Sequence, residues 1–231
     1  MVVAIHQPNF LPWLGYFYKL GRSDVFVLLD NVQYTKNSFI NRNRIKTPQG
    51  AKWLTVPVKI KGRSGQLIKD VEINNAADWR KKHLRTLEAN YKKARFFEPI
   101  FQGLEAVYYA NEWDNLCEFN IRLLKWALSM LKSEKRLIRA SELSVGGKGT
   151  QLLINIVKAL GGNMYLSGFG GVKYQEEGLF REAGITLSYC EFEHPIYPQL
   201  WGEFVSNLSV ADLLFNCGPA SLDFQPPCSR S

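Results

Sequence analysis

The chain is poor in the residues that mark metal and redox chemistry: among 231 residues there are four cysteines and three histidines. Cys117, Cys190, Cys217 and Cys228 are scattered with no CxxC pair, which excludes a zinc ribbon and a thiol–disulfide motif. They read as small buried hydrophobes of a reducing compartment. His6, His83 and His194 lack HExxH-type spacing, so no metal site is expected. No Walker A or GxGxxG sequence is present, and no cofactor is expected. Long apolar runs are also missing, since none approaches the roughly 18 to 20 residues that span a bilayer. The amino-terminal MVVAIHQPNFLPWLGYF has no basic region followed by a long apolar stretch, so it does not read as a secretory signal. A cytoplasmic protein without membrane contact is the expectation. There is no internal repeat and no low-complexity linker.

What is present is an ordinary globular composition, 46% hydrophobic and 22% charged, which excludes disordered and fibrous classes. Aromatic content of 13% is high and favours pockets or interfaces. The net charge of +8 is unevenly spread. Residues 1–100 carry 18 Lys and Arg against 7 Asp and Glu, and between Lys36 and Arg95 there are 16 basic residues and four acidic ones. Such a field concentrates anions: a phosphorylated small molecule, a sugar nucleotide or an RNA. A plainer reading covers part of it, because WRKKHLRTLEANYKKAR is amphipathic and its cations can form a solvated helix face. Arg42, Arg44 and Lys46 fit that reading less well, since they alternate with Asn and Ile in a strand.

The chain order predicts an α/β fold, a Rossmann-like three-layer sheet, mostly parallel. VVAIHQ, a helix in LPWLGYFYKLG and SDVFVLLD form the opening β-α-β pattern. SFINRNRIKT, AKWLTVPVKI and LIKDVEIN, separated by Gly and Pro turns, predict an inserted β-meander. Helices follow at about 76–94, 97–110 and 113–132, so the whole insertion runs over about 36–132. The α/β rhythm then returns, with strands in KRLIRAS, NMYLSG and ITLSYCEFE and helices in GKGTQLLINIVKALGG, YQEEGLFREAG and LSVADLLFNCG. Residues 1–218 read as one domain, and 219–231 as an irregular tail.

Four segments carry candidate chemistry. In the first, a strand ends at His6 and the chain turns through Gln7 and Asn9, where ligands bind in open α/β sheets. His6 suits acid–base work or phosphate contact. In the second, Asp30 closes the next strand, and Gln33, Lys36, Asn41, Arg42 and Arg44 follow, with two arginines able to grip phosphate through paired donors. In the third, Ser167, Gly168, Gly170, Gly171, Lys173 and Tyr174 form a glycine-rich strand end that could cradle phosphate. In the fourth, His194 follows the last strand, and Asp212 lies in the first turn of the last helix, behind Ser209 as a cap. His6 or Asp30 could serve as a general base, with the backbone of 167–171 holding an oxyanion. Cys190 and Cys217 lie in apolar surroundings, which favours core packing over nucleophilic roles.

IHQPNFLPWLGYFYKL, LDNVQYTKNSFINRNRI, KWLTVPV, YLSGFGG with its following Tyr, and LSVADLLFNCG together resemble the blocks of the WbqC-like family, in order, from His6 to Gly218. That resemblance implies a role in bacterial O-antigen, lipopolysaccharide or related surface-polysaccharide synthesis. It also implies transfer of glycine or another aminoacyl group to an amino sugar. The matching positions are His6, Gln7, Asp30, Lys36, Asn41, Arg42, Ser167, Gly168, Tyr174 and Asp212. The partner expected on this basis is an anionic small molecule, a sugar nucleotide, together with an aminoacyl donor.

Two other readings stay open at this stage. The stretch from His6 to Gly15 loosely resembles the HxGH segment of nucleotidyltransferases, although Tyr16 stands where the second His belongs. A non-catalytic nucleic-acid-binding module is the other, although no RNP, KH or helix-turn-helix signature is present.

Overall fold

The computed structural model describes residues 1–219. Residues 220–231, with Cys228 and nearly all of the expected irregular tail, lie outside the described residues. Five strands form one parallel sheet: β1 (Val2–His6), β2 (Val25–Leu28), β5 (Arg136–Arg139), β6 (Met164–Gly168) and β7 (Thr186–Cys190). Their spatial order is β5-β2-β1-β6-β7. The chain builds outward from β1 through β2 to β5, then crosses back to add β6 and β7 on the other side. The order therefore reverses between β1 and β6, and the crevice outside the carboxyl ends of those strands is where such sheets receive ligands.

Strand periodicity splits β1 between two cores. Val3 and Ile5 join Val25, Val27, Tyr165 and the apolar stripe of α5 (Gly149–Ala159), with Phe180 of α6 (Glu177–Glu182). Ala4 packs on the opposite face with Phe26, Leu28 and Leu166, beneath Leu14, Phe17 and Leu20 of α1 (Leu14–Gly21). All four residues of β2 are buried, as expected of an inner parallel strand covered on both faces. The same face that holds α1 is extended by α2 (Trp79–Tyr91), α3 (Phe97–Tyr109), α4 (Leu116–Met130) and α7 (Val210–Cys217). Side-chain caps start three of these helices: Asp78 accepts from Lys81 N, Asn115 from Glu118 N and Ser209 from Ala211 N. On α2, Trp79, His83, Leu84, Leu87 and Tyr91 are buried while Lys81, Lys82 and Arg85 face solvent, so the amphipathic reading of this basic helix holds.

The inserted meander requires correction. Only two of its three strands form a ladder, the antiparallel hairpin of β3 (Arg42–Thr47) and β4 (Gly50–Thr55). Past Pro57 the pairing shrinks to single bridges, Val58 with Ile73 and Gln33 with Leu67. LIKDV instead makes a 3-10 turn at Ile68–Asp70. Its backbone donors are taken elsewhere: Ile68 N bonds Val32 O and Lys69 N bonds Asp30 O, both at 2.9 Å. With those two amides spent on the 30–34 segment and the next two closing the 3-10 turn, contact with the continuation of β4 is confined to Lys59 N to Glu72 O and Asn74 N to Pro57 O, both at 2.9 Å.

Candidate functional site at the carboxyl edge of the sheet

On the α1 face, the carboxyl ends of the strands bring a row of side chains together. Arg139 is in register with Leu28, Leu28 with His6, and Gly168 with Cys190. The β1–β6 register pairs Ala4 with Leu166, and two further residues along it set Gly168 beside His6. His6 thus lies at the switch point.

Its surroundings are unusual. The imidazole lies 4.7 Å from the Tyr16 ring, and its Nδ1 is buried without a hydrogen-bond partner. Burial, reinforced by the Lys19 ammonium, holds its pKa well below the ordinary histidine value. His6 is therefore a neutral imidazole at physiological pH. Lys19 itself is 4% exposed and donates to the Ile5 carbonyl at 2.9 Å. Burial pulls its pKa down to about 7, against a smaller opposing pull from Cys190. Tyr16 and Lys19 are three apart on α1, which places both on its sheet-facing side. Lys19 was not among the residues read as chemical. The available signal was a lysine one position before the final Leu-Gly of a short apolar helix, a place that otherwise reads as a charge complementing the helix end.

The segment after His6 is rigid because other elements hold its carbonyls. Tyr16 Oη donates to Gln7 O at 3.3 Å, Asn120 Nδ2 to Pro8 O at 2.8 Å and Asn43 Nδ2 to Leu11 O at 2.7 Å. Val210 N reaches Pro12 O at 2.8 Å. Leu11 is held at φ 40°, a left-handed backbone that a branched side chain adopts only under constraint. Asn9 is buried and Gln7 partly exposed. Gly15 lies beneath the Trp13 ring, where an added Cβ would meet ring carbons at 2.2 Å. That glycine serves packing against Trp13, and the loose likeness to HxGH gains nothing from it.

Asp30 is fully buried, and its carboxylate is fully engaged. It accepts from Arg139 Nε at 2.9 Å, Ser141 N at 2.8 Å and Ser141 Oγ at 2.7 Å. β1 and β2 do pair in parallel, but the Asp30 side chain turns toward the end of β5 and not toward His6. Arg139 continues to Glu118 and lies 3.9 Å from Cys117 Sγ. Burial pushes the Cys117 thiol up to about 12.

At the end of β6, Ser167 is buried, donates to Gly168 O and accepts from Gln175 Nε2 at 2.8 Å. Gly170, Gly171 and Lys173 belong to a 3-10 turn at Phe169–Lys173, with Lys173 and Tyr174 exposed. No atom lies within 4 Å of where a Cβ would sit on Gly168 or Gly170, so backbone is open to approach there. Gly171 is close-packed, its added Cβ meeting Ser167 Oγ at 2.4 Å.

The remaining candidates sit beyond the Gln7–Trp13 segment. Asn41 is buried and bonds Val56 O, while Gln33 and Lys36 are exposed. Arg42 and Arg44 share the outer face of the hairpin, where Arg44 meets Asn207 and Ser209. Lys46, on the same face, is covered: its ammonium donates to Gln199 Oε1 at 3.0 Å and Glu203 O at 2.5 Å. Asp212 is fully buried and accepts from Tyr91 Oη at 2.7 Å, Tyr197 Oη at 2.9 Å and Gln199 Nε2 at 2.9 Å. It anchors the segment after β7. Burial raises its pKa despite those donors. His194 stacks among Phe192, Tyr197 and Phe204, with its pKa lowered by burial. Cys190 and Cys217 are partly buried with thiols pushed up by burial, in keeping with packing roles. The site therefore brings His6, Lys19, Tyr16, Gly168 and Cys190 to one edge, and the two arginines to a neighbouring face. Two surface grooves among the described residues lie elsewhere. One of about 650 Å³ is lined by Lys52, Lys81, Lys82 and Arg85, and one of about 430 Å³ lies between α6 and β7. They are open clefts, and the placement of His6 follows from strand order and not from their volumes.

The model of the WbqC-like protein family matches residues 7–224. The chain belongs to the WbqC-like family. It is also 38% identical over 229 residues to an uncharacterized protein, Rv1507c, of Mycobacterium tuberculosis (strain ATCC 25618 / H37Rv), covering 99% of each chain. No solved structure matches it. Among the described residues, no helix is long and apolar enough to cross a membrane.

Proposed function

We propose that this WbqC-like chain is a group transferase acting on a nucleotide-linked amino sugar in surface-polysaccharide synthesis, with the reacting groups held where β1 and β6 diverge. The observation that carries this reading is the placement of a neutral imidazole with an orphaned Nδ1 at the switch point of the sheet. A neutral histidine can take a proton, and buried Nδ1 gains most from a partner that supplies one.

In the proposed reaction, the amino nitrogen of the sugar attacks the carbonyl carbon of an activated glycyl or aminoacyl ester. The new C–N bond forms, the ester C–O bond breaks, the amine proton passes to His6, and His6 returns that proton to the leaving oxygen. Lys19, with a pKa near neutrality, sets the potential at His6: its positive form opposes protonation of the imidazole, and its neutral form lets the imidazole take the amine proton. The exposed backbone at Gly168 and Gly170 leaves space for the developing oxyanion. Asp30, through Arg139 and Ser141, is a positioning residue that ties the β2 and β5 ends together. The cytoplasm, where nucleotide sugars and aminoacyl donors are made, is the proposed compartment.

The test is incubation with a UDP-linked amino sugar bearing a free amine and a panel of aminoacyl esters, read by mass spectrometry. Saturable thermal stabilisation by the sugar nucleotide and an aminoacyl mass gain in wild type, absent in His6→Gln, are expected. Equal product from His6→Gln would overturn the role given to His6, and failure of every nucleotide sugar to stabilise the protein would overturn the reading.

A further inference from the structure

We propose that the outer face of the β3–β4 hairpin is a nucleoside-diphosphate site, in which Arg42 and Arg44 grip the diphosphate and the Phe39–Trp53 pair stacks the base. The inference names the handle of the substrate in the reading above and rests on that reading for its link to the sheet edge.

Register places the groups. Arg42 is opposite Thr55 and Arg44 opposite Trp53, so both guanidinium-bearing side chains and the indole share one face of the hairpin. The Arg42 guanidinium lies 4.2 Å from the centre of the Trp53 ring. Phe39 packs against the same indole at 5.7 Å, and both rings are 42% exposed. Large aromatic rings left this open beside cations are what a planar ring with an anionic tail would cover.

The arginines are short of acceptors. Among the described residues, ion pairs engage Lys59, Arg63 and Arg139, and neither Arg42 nor Arg44 has a carboxylate within 4 Å. Arg44 has a 3.3 Å bond to Asn207 O, yet the Nε of each arginine is buried with no hydrogen-bond partner. A guanidinium with no carboxylate beside it is poorly compensated, and phosphoryl oxygens are the acceptors that its paired terminal N–H groups fit. Two guanidinium groups two residues apart on one strand stand about 7 Å apart at the backbone. That spacing suits two linked phosphates, whereas a single carboxylate would satisfy one fork. Lys46, next on the same face, is turned inward to Gln199 and Glu203 and leaves the two arginines as the donors.

The more strongly basic groove between β4 and α2 is a weaker candidate. Lys52, Lys81 and Lys82 are exposed, with no orphaned buried donor among them. It supplies the control.

The experiment is calorimetric titration of the full chain with UDP, pyrophosphate and uridine. UDP is expected to bind at least ten-fold more tightly than pyrophosphate. Arg42→Lys and Arg44→Lys keep the charge and lose the paired donors, and each is expected to weaken UDP ten-fold or more. Phe39→Ala is expected to remove the advantage of UDP over pyrophosphate. Lys81→Gln with Lys82→Gln is expected to change affinity less than two-fold, and His6→Gln to leave it unchanged. Melting temperatures within about 2 °C of wild type show that the variants fold. Unchanged UDP affinity in both arginine variants, or an equal loss in the lysine control, overturns the proposal. Loss of UDP in His6→Gln alone moves the ligand to the sheet edge and overturns the hairpin site while the transferase reading stands. Loss in the arginine variants with full transfer activity in His6→Gln keeps the hairpin site and removes His6 as the base, whereas that loss with no transfer in wild type keeps the hairpin site and removes the transferase reading.

Discussion

The Lys19 ammonium donates to the carbonyl oxygen of Ile5 at 2.9 Å, one residue before His6 in the strand that defines the switch point. A cation buried at the heart of an α/β edge weakens the fold, because charge is taken out of water with only one backbone acceptor in return. Its neighbour His6 bears the consequence, being held neutral by burial and by that positive charge.

Lys19→Met is therefore expected to stabilise the protein and to damage its function. The folded-state pKa of about 7 lies below the ordinary lysine value, so the burial cost is full below pH 7 and fades as pH rises toward 10.5. Thermal melts should show a gain for the variant of roughly 2 to 5 kcal/mol at pH 6 that shrinks by pH 9. A variant less stable than wild type at pH 6 would show that the amine is well solvated or paired.

A second pH effect comes from His83 of α2, which packs against Phe10. Its Nε2 lies 2.9 Å from Thr55 O, which fixes the proton there, and its Nδ1 lies 3.2 Å from Tyr108 Oη. Burial lowers its pKa to about 4. Between pH 6.5 and 4 the unfolded chain gains a proton that the folded chain refuses, so stability falls as pH falls across that window. The loss is about 3 kcal/mol from this group, and His6 adds to it in the same direction. Urea titrations at pH 7 and pH 4.5 should show the drop, and His83→Gln should flatten it. An unchanged pH dependence in that variant would contradict the assignment.

Asp30 separates a positioning role from a catalytic one. Asp30→Ala leaves Arg139 without its innermost partner and Ser141 without its acceptor, and is expected to cost about 3 kcal/mol in denaturant unfolding. Asp30→Asn keeps the shape and should retain acceptance from Ser141 N, with transfer activity reduced through KM more than through kcat. A collapse of kcat with normal stability would make Asp30 the base instead.

Much of the fold is legible in the sequence because the strands and helices announce themselves locally. VVAIH, the unbroken SDVFVLLD run and the stripe of Trp79, Leu84, Leu87 and Tyr91 take the states their spacing predicts. Ser209 caps α7 as its side chain suggests. LIKDV does not form the third meander strand, because the Ile68 and Lys69 amides pair with residues 30–34 and those of Asp70 and Val71 close a 3-10 turn, a choice made by tertiary contacts that periodicity does not encode.

The site is legible in position and less so in partnership. His6 ends β1 at the switch point as its place after an apolar run implies. Asp30 read as a free carboxylate because its partner Arg139 lies 109 residues away. Lys19 went unread for the opposite reason: its neighbours in sequence look like an ordinary helix end, and only the packing of α1 on β1 buries it.

The most direct measurement is a crystal structure with a UDP-linked amino sugar bound. The expected result places the sugar amine within about 3 Å of a ring nitrogen of His6, alongside Gly168. A sugar seated in the open groove between Lys52 and Arg85, with the β1–β6 edge empty, would contradict the account.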